Sequence, residues 1–220
     1  MLVVHSLPDA SKGNDMRKRT NGMLLEKSSA SMHLRSLVQG SSAQAGALRI
    51  CAGALALALS ANLEIPLQPV PFTLQILALG FIAATLKPKE AASAAGAYVA
   101  AGALGAPVFA GGLGGVWRLA GPTGGFILGF IAGAWAGSYL LSQLSKTRLP
   151  WAASCFLSLV GMTAAVYLAG WAQLVLVAQL SPAAAFAAGV EPFVVFDLMK
   201  AGLVASALAA GRIAAREVCR

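Results

Sequence analysis

Residues 192–210 read PFVVFDLMKAGLVASALAA, an apolar run interrupted by one aspartate, Asp197, and one lysine, Lys200. About 20 apolar residues cross a bilayer as a helix, so this run has the length of a membrane span. Asp197 and Lys200 stand three residues apart and share one face of that helix. Each charge in a span costs upward of about 2.5 kcal/mol and points to a cavity or a partner. A mutual salt bridge would lower that cost. An ionisable pair at this depth is also a candidate functional site.

The rest of the chain is built for the same solvent. Hydrophobic residues make up 58% of it and charged residues 11%, with a mean hydropathy of +0.74. A soluble domain carries about a quarter charged residues. Apolar stretches follow one another from about Ala45 to about Ala210, without the short alternation of a transmembrane barrel. The expected fold class is an all-α membrane protein with six transmembrane helices. The spans are predicted at about Ala45–Leu63, Val70–Leu86, Ala91–Ala106, Gly124–Gln143, Trp151–Leu180 and Pro192–Ala210. The third is short, and the fifth must tilt or protrude. A single membrane domain over 45–212 is expected, between an extension at 1–44 and a short basic tail at 213–220.

Residues 1–44 carry Lys12, Arg17, Lys18, Arg19, Lys27 and Arg35 among many serines, and no apolar run long enough for a secretory signal. A disordered basic cytoplasmic extension is predicted. Asp9, Asp15 and Glu26 argue against a transit peptide, and Met23 and Met32 are candidate alternative starts. The tail to Arg49, the turns at Lys87–Lys89 and Lys146–Arg148, and the C-terminus hold all sixteen Lys and Arg residues except Arg118 and Lys200. The positive-inside rule then places both termini in the cytoplasm. Orientation and attraction to anionic lipid account for the net charge of +8. Basic residues scattered over four inner segments make no surface for nucleic acid.

Cys51 and Cys155 lie in apolar runs and Cys219 in the tail, without a CxxC or Cys/His pair. Buried, inert thiols are expected, and no metal site or disulfide. His5 and His33 precede the first apolar run, which leaves no histidine in the spans for haem and little for a proton relay.

Two further stretches carry candidate chemistry. Three prolines in Pro66–Pro71 forbid regular helix just before Phe72, Thr73 and Gln75. Such backbone near membrane depth is tolerated only against protein or a water-filled cavity, and Thr73 and Gln75 can hydrogen-bond a polar solute there. The bland alternative is a stiff turn. The loop from Gly105 to Phe126, GAPVFAGGLGGVWRLAGPTGGF, is long, glycine-rich, and holds Phe109, Trp117 and Arg118. Gly111 and Gly112 permit positive φ and close backbone approach to a ligand. It is no nucleotide loop, because GxxxxGK[ST] is absent from the chain. ATP, if used, belongs to another subunit. In the first span Ala52/Ala56 and Ala54/Ala58 are small-xxx-small pairs that admit a partner helix.

PVPFTLQ (69–75), GAPVFAGGLGG (105–115), GPTGGF (121–126) and FDLMK (196–200) occur in this order. Together they resemble the BioY family, the biotin-binding S components of energy-coupling-factor (ECF) transporters, over about Ile50–Ala210. The resemblance implies a six-helix S-component fold in a bacterial plasma membrane, binding biotin from the outer face. It implies Asp197 and Lys200 as part of the biotin site, the PVPFT segment and glycine-rich loop as lid and wall, and no cofactor. It also implies a T component and ATPase subunits as partners, docking on the small residues of the first helix. Biotin offers ureido N–H donors and a carbonyl, an apolar thiophane ring and a carboxylate. Asp197 can accept from the ureido group, Lys200 can donate, Phe72, Phe109 and Trp117 can form the apolar wall, and Arg118 or loop amides can meet the carboxylate. Some family members have a polar residue between the paired glycines and an arginine after the GPTGG-aromatic segment. Leu113 and Ile127 stand there, which shifts weight to Arg118 or backbone groups.

Two other classes compete. A stand-alone secondary vitamin transporter needs coupling groups, and only one carboxylate sits clearly at depth, with no visible inverted repeat. An intramembrane enzyme needs a nucleophile elbow, a metal set or a His/Asp/Glu cluster, none of which occurs in the spans. A binding subunit without catalytic residues fits the charge pattern best.

Overall fold

A computed structural model describes residues 43–67 and 69–218, and from Ala47 onward the chain forms one compact unit. All but the last two residues of the predicted N-terminal extension lie outside the described residues, as does Cys219. The order is α1 (Ala43–Ala61), β1 (Glu64–Ile65), β2 (Phe72–Thr73), α2 (Gln75–Thr85), α3 (Pro88–Ala103), a 3-10 turn (Ala110–Gly112), α4 (Val116–Ala120), α5 (Gly124–Leu144), α6 (Trp151–Leu176), α7 (Pro182–Gly189) and α8 (Glu191–Val218). The predicted helical class is therefore correct.

Among the described residues four helices are long and apolar enough to cross a membrane: Ala43–Ala61, Gly124–Leu144, Trp151–Leu176 and Glu191–Ala215. Of the other two predicted spans, one is shorter than expected and one is shifted toward the N-terminus at unchanged length. α2 begins at Gln75 rather than Val70, because the prolines before it bend the chain into an antiparallel pair of strands, Ile65 opposite Phe72 and Glu64 opposite Thr73. α3 ends at Ala103, short of the predicted 106. α6 ends at Leu176, not 180, where Gln179 at φ 53° turns the chain away. Ser181 then caps the unpredicted α7, accepting from the Ala184 amide at 3.3 Å with Pro182 in its first turn. α8 continues past 212 to Val218, so most of the tail segment is helical.

Among the elements from β1 onward, α5 and α6 make the most extensive contact. Gly125, Gly129, Gly133 and Gly137 recur every fourth residue and line one face of α5. A Cβ on Gly129 would stand 3.1 Å from Val166 Cα, and one on Gly133 would stand 3.0 Å from the Met162 carbonyl oxygen. The missing side chains let the two backbones approach closely, which is how helices pack where water supplies no driving force. Leu159, Met162, Val166 and Leu174 of α6 are buried beside Leu79, Tyr98, Phe130 and Val204.

At one end of the bundle Arg49 of α1 donates to both Glu90 carboxylate oxygens, at 2.7 and 3.2 Å. The pair brings the start of α1 beside the start of α3. Cys155 is buried as expected, but Cys51 is exposed on α1, because apolar residues on an outer helix face the lipid as readily as the core.

Candidate binding site

The face of α8 that turns inward carries Phe193, Asp197, Lys200, Ala201 and Val204, at helical spacing. Val195, Phe196, Leu198, Met199 and Leu203 on its other faces are exposed and apolar, as a helix bordering lipid requires. Asp197 and Lys200 are only 4% and 6% exposed, so their charges must be met by protein. Lys200 Nζ donates to Asp197 Oδ1 at 2.7 Å and to the Thr73 carbonyl of β2 at 2.8 Å. Tyr167 of α6 donates its hydroxyl to Asp197 Oδ2 at 2.6 Å. The lysine also lies 4.0 Å from the centre of the Phe72 ring, a cation–π contact. One ion pair thus joins α8, α6 and the strand pair.

Beside it Gln75 donates to the Tyr98 hydroxyl at 2.5 Å and accepts from the Thr73 hydroxyl at 3.1 Å. Phe72 stacks on Phe193 with centroids 6.2 Å apart and meets Phe196 edge-on at 5.3 Å. Phe72, Thr73, Gln75, Tyr98 and Phe193 border a cavity with Asp197 and Lys200 that also receives Phe109, Arg118, Phe126, Phe130 and Tyr167. The lining is aromatic with a few convergent polar groups, the usual make-up of a small-molecule site.

The glycine-rich loop is folded, not loose. Phe109 sits over Gly102 of α3, where any side chain would collide with its ring, and Gly115 at φ 103° donates to the Gly102 carbonyl at 2.7 Å. α4 then carries Arg118 to the cavity, and the Arg118 Nε is buried with no hydrogen-bond partner among the described residues.

Of the sequence-derived candidates, Phe72, Thr73, Gln75, Phe109, Arg118, Asp197 and Lys200 border this one cavity. Gly111 and Gly112 do not. Their φ values of 76° and 66° shape the 3-10 turn, whose first residue, Ala110, does border the cavity. Trp117 is exposed, with the Arg118 guanidinium 5.4 Å from its ring centre, and does not border the cavity, so the apolar wall keeps Phe72 and Phe109 of the expected three and gains Phe126, Phe130 and Phe193. Tyr98 and Tyr167 were missed. Isolated tyrosines in Ala-rich spans carry no motif, and only their depth beside polar groups marks them. The two small-residue pairs of α1 part company: Ala52 and Ala56 are exposed along a groove against α2, whereas Ala54 and Ala58 pack on the core. Among the described residues no three His, Cys, Asp or Glu side chains gather to hold a metal ion.

The sequence matches the BioY family over residues 31–217. This chain belongs to that family. Among BioY relatives, Biotin transporter BioY2 of Lactococcus lactis subsp. cremoris (strain MG1363) is 36% identical over 155 residues, covering 70% of this chain and 83% of that protein. Biotin transporter BioY of Thermotoga maritima (strain ATCC 43589 / DSM 3109 / JCM 10099 / NBRC 100826 / MSB8) is 38% identical over 158 residues, 72% of this chain and 89% of that one. A crystal structure of the S-component for biotin from an ECF-type ABC transporter superposes with a TM-score of 0.71. It covers 78% of this chain and 93% of that chain at 21% identity, which makes the fold a shared one.

Proposed function

We propose that this BioY-family chain is the biotin-binding membrane subunit of an ECF-type uptake transporter, without catalytic chemistry of its own. The observation that carries the reading is the buried Asp197–Lys200 pair on the wall of an aromatic cavity, within a chain of this family. Asp197 has spare lone pairs after its two bonds, so it accepts from the ureido N–H groups, while the third Lys200 proton serves a ligand oxygen. Phe72, Phe126, Phe130 and Phe193 enclose the thiophane ring and valerate chain. Arg118, with its Nε unpaired, takes the carboxylate.

The full arrangement has six helices in a bacterial plasma membrane, α2 and α3 crossing as the shorter ones, with both termini cytoplasmic. Partners are a T component and ATPase subunits, which hydrolyse the ATP. Ala52 and Ala56 are the docking residues, with Ala54 and Ala58 supporting them from the core side. No cofactor is required. A secondary transporter would need an ionisable group free to exchange protons or ions. Asp197, bonded to Lys200 and Tyr167 together, is poorly suited to that.

Titration calorimetry of the purified chain in detergent tests the reading directly. Biotin is expected to bind tightly. Arg118→Ala is expected to weaken biotin by about 10- to 100-fold, the worth of a hydrogen bond to a charged group, and to leave neutral biotin amide unchanged. Failure of the folded wild-type chain to bind biotin would sink the assignment.

A further inference from the structure

The loop that carries Arg118 is fastened at two places. On the α3 side Gly102 takes the Phe109 ring and the Gly115 amide. On the α6 side a single side chain does the work. Gln173 Nε2 donates to the Leu119 carbonyl at 2.7 Å and to the Gly121 carbonyl at 2.6 Å. α4 spans only five residues, Val116–Ala120, so it is too short to hold itself together and its last carbonyls have no partner within the helix. One amide NH2 supplies the donor that the Leu119 carbonyl lacks, and at the Gly121 carbonyl just past the helix it joins the Gly124 amide, which donates there at 3.1 Å.

The neighbouring glycines make this reach possible. A Cβ on Gly124 would collide with the Leu119 carbonyl and with Gln173 Nε2, and one on Gly125 with the Ala169 carbonyl of α6. Two glycines of the GPTGGF stretch thereby bring α4 and the start of α5 against Gln173. Arg118 precedes the first bonded carbonyl by one residue, and its own carbonyl accepts from the Gly121 amide at 3.3 Å. The bonds from Gln173 therefore fix the turn on which the guanidinium stands.

We propose that Gln173 is a positioning residue that sets the affinity of the cavity for a carboxylate ligand by holding the turn that carries Arg118. The inference rests on the assignment of Arg118 to the biotin carboxylate. Gln173 itself does not border the cavity, so it acts through Arg118.

Gln173→Met, close in shape and without donors, is compared with wild type by calorimetry against biotin and biotin amide, alone and on an Arg118→Ala background. Biotin affinity is expected to fall about tenfold, the worth of two neutral hydrogen bonds, with biotin amide unchanged and no further loss when Arg118 is already absent. Gln173→Glu, which keeps the length and turns an acceptor toward the two carbonyls, should behave alike and replaces Gln173→Met if that variant does not fold. Equal loss for both ligands, or the same loss on the Arg118→Ala background, would reduce Gln173 to a structural residue. If Arg118→Ala weakens biotin and neither Gln173 variant does, the positioning role alone fails. If Arg118→Ala leaves biotin binding unchanged, the carboxylate assignment fails and the positioning role falls with it.

Discussion

Lys200→Met is expected to destabilise the protein by about 3–5 kcal/mol, because it leaves the buried Asp197 carboxylate without its counter-charge. The Thr73 carbonyl loses its donor at the same time, so the strand pair beside the cavity loosens. Thermal unfolding in detergent reads the first effect, and biotin calorimetry the second, with an expected loss of roughly 100-fold or more for truncating a buried charge pair. The double variant Asp197→Leu/Lys200→Met separates the two. With both charges gone no unpaired ion remains buried, so much of the lost stability should return. Biotin binding should not. A double variant that binds biotin like wild type would make the ion pair a structural feature and move the ligand contacts elsewhere.

The second large effect is expected at Gly125. Gly125→Val would place a branched side chain against the Ala169 carbonyl and the Gln173 Cβ, in the extensive α5–α6 interface. Backbone on the facing helix cannot give way as a flexible side chain would, so α5 must shift. A loss of about 3 kcal/mol or more is expected, at the upper end for overpacking. Gly96→Ala on α3 is the control, because a Cβ there meets nothing within 4 Å. It should be neutral or stabilise by up to about 1 kcal/mol through helix propensity. A Gly125→Val protein that melts with wild type would mean that the α5–α6 approach is not what holds the bundle.

Much of this was legible in the sequence where chemistry and spacing coincide. Asp197 and Lys200 stood out because charges are rare in spans, and i, i+3 spacing predicted the bond that forms. The prolines foretold a break before Phe72, but not that residues on either side of it would pair as strands, since two-residue strands leave no alternation to see. Periodicity found the strongly apolar α1, α5, α6 and α8. It overestimated α2, whose apolar flank at Val70–Phe72 continues the composition of a helix while prolines deny its geometry. The glycine stripe of α5 had a signal, a four-residue repeat, which the glycines and alanines around it obscured. Gln173 had none: its partners are backbone carbonyls more than fifty residues away, as far as 54.

The i, i+3 placement of Asp197 and Lys200 also bears on how α8 enters the membrane. Both charges lie within one turn of one helix, so they can meet as soon as that turn has formed, with no other segment in place. Two isolated charges at the centre of a span cost about 2.5–3.5 kcal/mol each on insertion scales. A segment that carries its own counter-ion reaches the translocon already partly neutralised. Only the bonds to Tyr167 and to the Thr73 carbonyl must wait until the earlier segments have assembled around it.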